Sequence, residues 1–134
     1  MQLEAYLFFY GRCEEALEFY KTALGGTYEL TRFGDSPMGA DAPPESRNRV
    51  MHATFKGPSF SFMCSDGRGT KSIDPDEGNV SLSLATSDAA EGERVFKALS
   101  DGGKVSMPLD KVPWGGTFGT LADRFGVEWM VSIH

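Results

Sequence analysis

GTLADRFGVEWM (119–130) can be written directly beneath HATFKGPSFSFM (52–63), at a constant offset of 67. Each copy is an apolar stretch, a glycine-containing turn and a second stretch that alternates in polarity, which is the pattern of two paired strands. The agreement extends toward the N-terminal side of both copies. RCEEALEFYKTALGG (12–26) carries Ala16, Leu17, Phe19, Tyr20, Ala23 and Leu24 at helical three-and-four spacing, and SDAAEGERVFKALSDGG (87–103) repeats the plan. Phe19-Tyr20-Lys21 and Gly26 fall over Val95-Phe96-Lys97 and Gly102, now at an offset of 76. Asp88 or Ser87 caps the second helix, and a glycine pair stops each one.

Strand-like segments complete both copies. LEAYLFFY (3–10) and TYELTRF (27–33) flank the first helix; VSLSLAT (80–86) and KVSMPLDKV (104–112) flank the second. The sequence therefore predicts an α+β fold of two βαβββ modules, about 1–66 and 78–134, joined by a linker at 67–77 within one 134-residue domain. Residues 34–47, with three prolines, two glycines and no apolar period, are expected to be a mobile loop or a lid.

A net charge of −6 and a pI near 4.8 exclude a nucleic-acid backbone or an anionic membrane as the natural partner. The opening MQLEAYLFFY has no basic region and carries Glu4 within its apolar run, so neither a signal peptide nor a membrane span is expected, and the location expected is the cytoplasm. Cys13 and Cys64 have no framework spacing and read as reduced and buried.

The duplicated order, the helix EEALEFYKTALGG and the ending WGGTFGTLADRFGVEWMVSI resemble the vicinal oxygen chelate superfamily, which includes glyoxalase I, bleomycin-resistance proteins and extradiol dioxygenases. Within it the chain is most similar to the PhnB-like branch, through Met51-His52-Ala53, Trp114-Gly115 and the turn Asp123–Gly126. The resemblance implies an open, cupped, eight-stranded mixed sheet with flanking helices. It also implies a homodimer that binds a small molecule.

Strand alternation sorts residues between a helix side and a cup side. Trp129, Val131, Phe60, Phe62, Cys64, Leu82 and Leu84 are expected on the helix side. Glu128, Met130, Ser61, Ser81, Ser83, His52 and Thr54 are expected in the cup with Met63. LEAYLFFY is apolar on both faces, and there the family register, not alternation, puts Ala5, Leu7 and Phe9 in the cup.

Metal-dependent relatives hold their ion with His and Glu on the first and last strand of each half. The resemblance carries those positions onto Ala5, Met63, Ser81 and Met130, none of which suits a divalent ion, so neither metal nor cofactor is expected. His52 reads either as a hydrogen-bonded structural histidine or as a polar anchor or general base. Glu128 reads as a rim carboxylate or as its partner in catalysis. Trp114, beside Gly115 and Gly116, reads as a pocket wall or lid, or as an ordinary core or interface residue. Arg32 reads as a ligand clamp or an ion-pair partner.

Two functions follow. One is a metal-free small-molecule-binding protein of the bleomycin-resistance type. The other is a lyase, isomerase or dioxygenase that uses His52 and Glu128. PhnB-like chains also carry a demethylubiquinone methyltransferase label, but no segment here resembles a cofactor loop for methyl transfer.

Overall fold

The computed structural model describes residues 1–36, 43–67 and 79–134. The chain divides into two compact units, Met1–Ser72 and Ile73–His134. The first contains β1 (Tyr6–Phe8), α1 (Cys13–Leu24), β2 (Thr27–Arg32), a one-turn helix α2 (Pro44–Arg47), β3 (Val50–Lys56) and β4 (Ser61–Ser65). The second contains β5 (Leu82–Thr86), α3 (Ala89–Ser100), β6 (Lys104–Lys111), β7 (Thr117–Ala122) and β8 (Glu128–Ile133). Each unit forms a four-stranded mixed sheet, ordered β1-β4-β3-β2 and β5-β8-β7-β6, in which only the first pair is parallel.

Both helices form where the apolar period predicts them. α1 buries Cys13, Ala16, Leu17, Tyr20, Ala23 and Leu24 against its sheet, and α3 buries Gly92, Val95, Phe96 and Leu99. The Asp88 side chain caps α3 by accepting the Glu91 N–H at 3.1 Å. The sheet side of the first core is aromatic: Phe55 and Phe62 stack at 5.0 Å, and Tyr20 meets Phe62 edge-on at 5.8 Å. In the second unit Leu121, Trp129 and Val131 fill the same layer.

Two buried carboxylates fasten the ends of these layers. Asp66 accepts the N–H groups of Gly11, Cys13 and Val50 at 2.8–2.9 Å, tying the start of α1 to β3 and β4. Asp123 accepts Phe125 N, Val127 N and the Trp129 indole N–H at 2.9–3.1 Å, closing the β7–β8 turn.

The stretch expected to be a loop or lid contains two short helical turns. Phe33–Asp35 forms a single 3-10 turn, and Pro44–Arg47 a single α turn with proline at its start, where a missing N–H costs nothing. The rest of that expectation, residues 37–42, lies outside the described residues, as does most of the 67–77 linker. Among the described residues no helix is long and apolar enough to cross a membrane.

Candidate functional site

Paired positions on neighbouring strands project to the same face of a sheet, so the strand register decides which residues can line a site. In the second unit Ser83 pairs with Met130, and Met130 with Thr120, on the face turned away from α3. Ser81 lies on that face too, its hydroxyl 3.2 Å from a Glu128 carboxylate oxygen. Ser106 and Thr120 share a hydrogen bond of 2.7 Å beside them. Ser81, Lys104, Ser106, Thr120, Glu128 and Met130 line a cavity of about 260 Å³. The expected placement of Ser81, Ser83, Glu128 and Met130 on one face agrees with this register. Lys104, Ser106 and Thr120 were not singled out from sequence; for the first two the reason is a register shift between Val105 and Met107 that interrupts the alternation of β6.

In the first unit the corresponding face differs from the expectation by one residue on β1. Tyr6, not Ala5, pairs with Met63, and Met63 pairs with Thr54. Leu7 pairs with Cys64, which is fully buried under α1, and Phe9 packs on Tyr20 with ring centres 6.0 Å apart. Ala5, Leu7 and Phe9 therefore lie on the helix side, and the open face receives Tyr6 and Phe8. The cause is a change of offset. Ala5 and Ser81 are 76 apart, the spacing that relates the helices, whereas the strand pairings relate Tyr6 to Ser83, 77 apart. The first copy has an additional residue before its helix, in the turn where Tyr10 and Gly11 both adopt positive φ (47° and 105°).

His52, Thr54, Ser61 and Met63 lie on this open face as expected from alternation, now joined by Tyr6. The Tyr6 hydroxyl stands 3.2 Å from His52 Nδ1, and the two rings are 5.7 Å apart. Tyr6, Phe8 and Tyr10 continue as a row of neighbouring rings at 5.1 and 6.2 Å. Ser61 donates to the Glu4 carboxylate at 3.2 Å. This repeats the Ser81–Glu128 pair of the second unit with the partners exchanged: the carboxylate lies just before the first strand in one copy and on the last strand in the other.

Trp114 is 73 % exposed, on the turn between β6 and β7, where it meets Phe118 edge-on at 6.0 Å. It is not a core residue of its unit. Phe118 pairs with Ser132, so the indole leans on the same open face of the second sheet. Arg32 lies on the helix side and binds Glu14 at 2.7 Å and the Asn48 carbonyl at 2.9 Å, which makes it an ion-pair partner and not a clamp.

The donor set does not fit the metal of the metal-dependent relatives. The open-face pairs are Tyr6 with Met63 and Ser83 with Met130, which offer a phenol, a hydroxyl and thioethers in place of imidazoles and carboxylates. Among the described residues no group of three or more His, Cys, Asp and Glu side chains could hold an ion.

The profile of the 3-demethylubiquinone-9 3-methyltransferase family matches residues 2–132. The chain belongs to this PhnB-like family. It is 40% identical to protein PA1353 from Pseudomonas aeruginosa, whose crystal structure superposes with a TM-score of 0.85 over 100% of this chain and 98% of that one. The PhnB protein of Bacillus cereus is 27% identical with a TM-score of 0.79, each chain being fully covered. Protein YjdN of Escherichia coli (strain K12) is 29% identical over 99% of this chain and 95% of its own length. A member of the glyoxalase/bleomycin resistance/dioxygenase superfamily from Sphaerobacter thermophilus shares the fold, at 21% identity and a TM-score of 0.56. The PhnB-like chain thus has the α+β, glyoxalase-like fold.

Proposed function

We propose that this PhnB-like protein is a metal-free small-molecule-binding protein of the glyoxalase/bleomycin-resistance type, acting in the cytoplasm as a homodimer. The observation that carries the reading is the chemistry of the paired open-face positions. Where a metal-dependent relative would need imidazole and carboxylate, Tyr6 and Met63 present a ring and a thioether, and Ser83 and Met130 a hydroxyl and a thioether. Each such face suits a partly apolar ligand, oriented by the Ser61–Glu4 pair in the first unit and by the Ser81–Glu128 pair in the second. Sequestration, as in bleomycin resistance, belongs to this class. The family's description names a methyl transfer, but a fold and its label do not fix a chemistry.

The test is a thermal-shift panel of small organic molecules and divalent metals, since whatever binds only the native state raises its melting temperature. Partly apolar organics should shift the protein and metals should not. A one-to-one shift by a divalent ion would overturn the reading. Sedimentation as a monomer at micromolar concentration would remove the homodimer from it.

A second reading, an enzyme of the lyase, isomerase or dioxygenase type, draws support from the Tyr6–His52 hydrogen bond, which could pass a proton between a phenol and an imidazole. It requires that a ligand found by the panel be converted, and that His52→Gln abolish conversion while leaving binding in place.

A further inference from the structure

Cys13 and Cys64 are the two cysteines of the chain, and the fold brings them together from opposite layers of the first unit. Cys13 is the first residue of α1 and Cys64 the fourth of β4. Both are fully buried as free thiols, with their sulfurs 3.5 Å apart. The backbone around them is pinned independently. Asp66, two residues beyond Cys64, accepts the Cys13 N–H at 2.8 Å and the Gly11 N–H at 2.9 Å. The start of the helix is therefore held over the end of the strand. We propose that Cys13 and Cys64 are an intramolecular oxidation site, closing to a disulfide when the protein meets a hydroperoxide.

The sulfurs need to approach by about 1.5 Å to reach bonding distance, a movement within the reach of side-chain rotation and a small helix shift. Cys13 donates its S–H to Cys64. That bond, burial and the charges of Asp66 and Glu14 push the Cys13 thiol up and keep it protonated. Cys64 is then the sulfur that attacks. It displaces water from hydrogen peroxide, breaking the O–O bond and becoming a sulfenic acid. The Cys13 sulfur attacks the Cys64 sulfur, the S–O bond breaks, and the hydroxyl leaves with the Cys13 proton as a second water. Two thiols have lost two electrons and two protons, and the peroxide has taken them up.

Access comes through the first turn of α1. Asp66 holds that turn through the Gly11 and Cys13 N–H groups, so peroxide reaches the sulfurs only when the turn opens locally. The enclosure slows the reaction, but it also keeps larger thiol-reactive molecules out and leaves each sulfur only the other to meet.

The test exposes the folded, full-length protein to millimolar hydrogen peroxide and removes the peroxide with catalase. The chain is then unfolded in guanidinium with N-ethylmaleimide and digested without reductant. The expected product is a peptide pair linked through Cys13 and Cys64, two daltons lighter than its parts, unalkylated and released by dithiothreitol. The oxidised protein should melt several degrees above the reduced one, on the order expected for a loop of about 50 residues. Cys13→Ser should abolish the cross-link and leave Cys64 alkylatable or further oxidised. The proposal is overturned if both cysteines remain fully alkylatable under peroxide that oxidises the unfolded chain. Separate over-oxidation of either sulfur, or disulfides between chains in place of the internal one, would overturn it equally.

Discussion

The Tyr6 hydroxyl lies 3.2 Å from Nδ1 of His52, across a face whose opposite side carries Leu7 and Phe9 against the helix. Adjacent residues of one short strand therefore have separate duties, and substitutions should divide accordingly. Phe9 is 4 % exposed, so Phe9→Ala removes a buried ring and should cost about 3 kcal/mol of stability in urea unfolding. Tyr6→Ala should cost less than about 1 kcal/mol, because Tyr6 is exposed and its one side-chain hydrogen bond faces solvent. It should instead weaken ligands found by thermal shift by about tenfold, a change that Leu7→Ala should not reproduce. Equal losses of stability for Tyr6→Ala and Phe9→Ala would contradict the assigned register.

The helices and the helix-facing halves of β3, β4, β5 and β8 were legible in the sequence, because a single apolar face leaves a clear period of 3.6 or 2. β1 was not. In Tyr6-Leu7-Phe8-Phe9 every residue is apolar or aromatic, so alternation carries no information about which side meets the core. A one-residue error there turns each side chain over, and the extra residue at the Tyr10–Gly11 turn makes the helix offset a false guide to the strand. Lys104 and Ser106 escaped for a related reason: β6 is exposed along nearly all its length and its pairing shifts twice, so no pattern marks the cavity-facing side. The Ser61–Glu4 pair depends on the corrected register and became visible only with it.

Asp123 gives a stability prediction on the C-terminal turn. Its buried carboxylate serves Phe125 N, Val127 N and the Trp129 indole at once, so truncation leaves three donors to be satisfied inside the protein. Asp123→Ala should cost about 3 kcal/mol or more. Asp123→Asn, which preserves shape but turns one acceptor into a donor, should fall about midway. Chemical denaturation measures both; a loss below about 1 kcal/mol for the alanine variant would show that water or a backbone shift replaces the carboxylate.

Tyr28 provides the pH-dependent case. Its hydroxyl donates to Glu18 at 2.6 Å, and this bond, followed by burial and the Glu18 charge, pushes its pKa up to about 12. Because the folded value lies above the unfolded one, near 10, the contribution is complete below pH 10 and is lost as the pH rises toward 12. Solvent screening keeps that contribution small. Ultraviolet titration should show Tyr28 ionising near pH 12, and Glu18→Gln should return that one tyrosine toward its ordinary value. An unchanged titration curve in that variant would remove Glu18 as the cause.

The strand register can be read directly with engineered ligands, and the same experiment tests the metal-free reading. Tyr6 and Met63 are paired on neighbouring parallel strands, so Tyr6→His with Met63→His places two imidazoles side by side, about 5 Å apart at the backbone, with His52 near the first. That variant should bind zinc or nickel and melt higher when either is added. Ala5→His with Met63→His sets the new imidazoles on opposite faces and should gain nothing. The unmodified protein should respond neither to these ions nor to a chelator. If the Ala5 variant binds and the Tyr6 variant does not, the register of β1 is off by one residue, and Ala5, Leu7 and Phe9 return to the open face. Binding by neither variant would instead mean that β1 and β4 are not paired along Tyr6–Phe8, which removes the wall on which the small-molecule reading of the first unit depends.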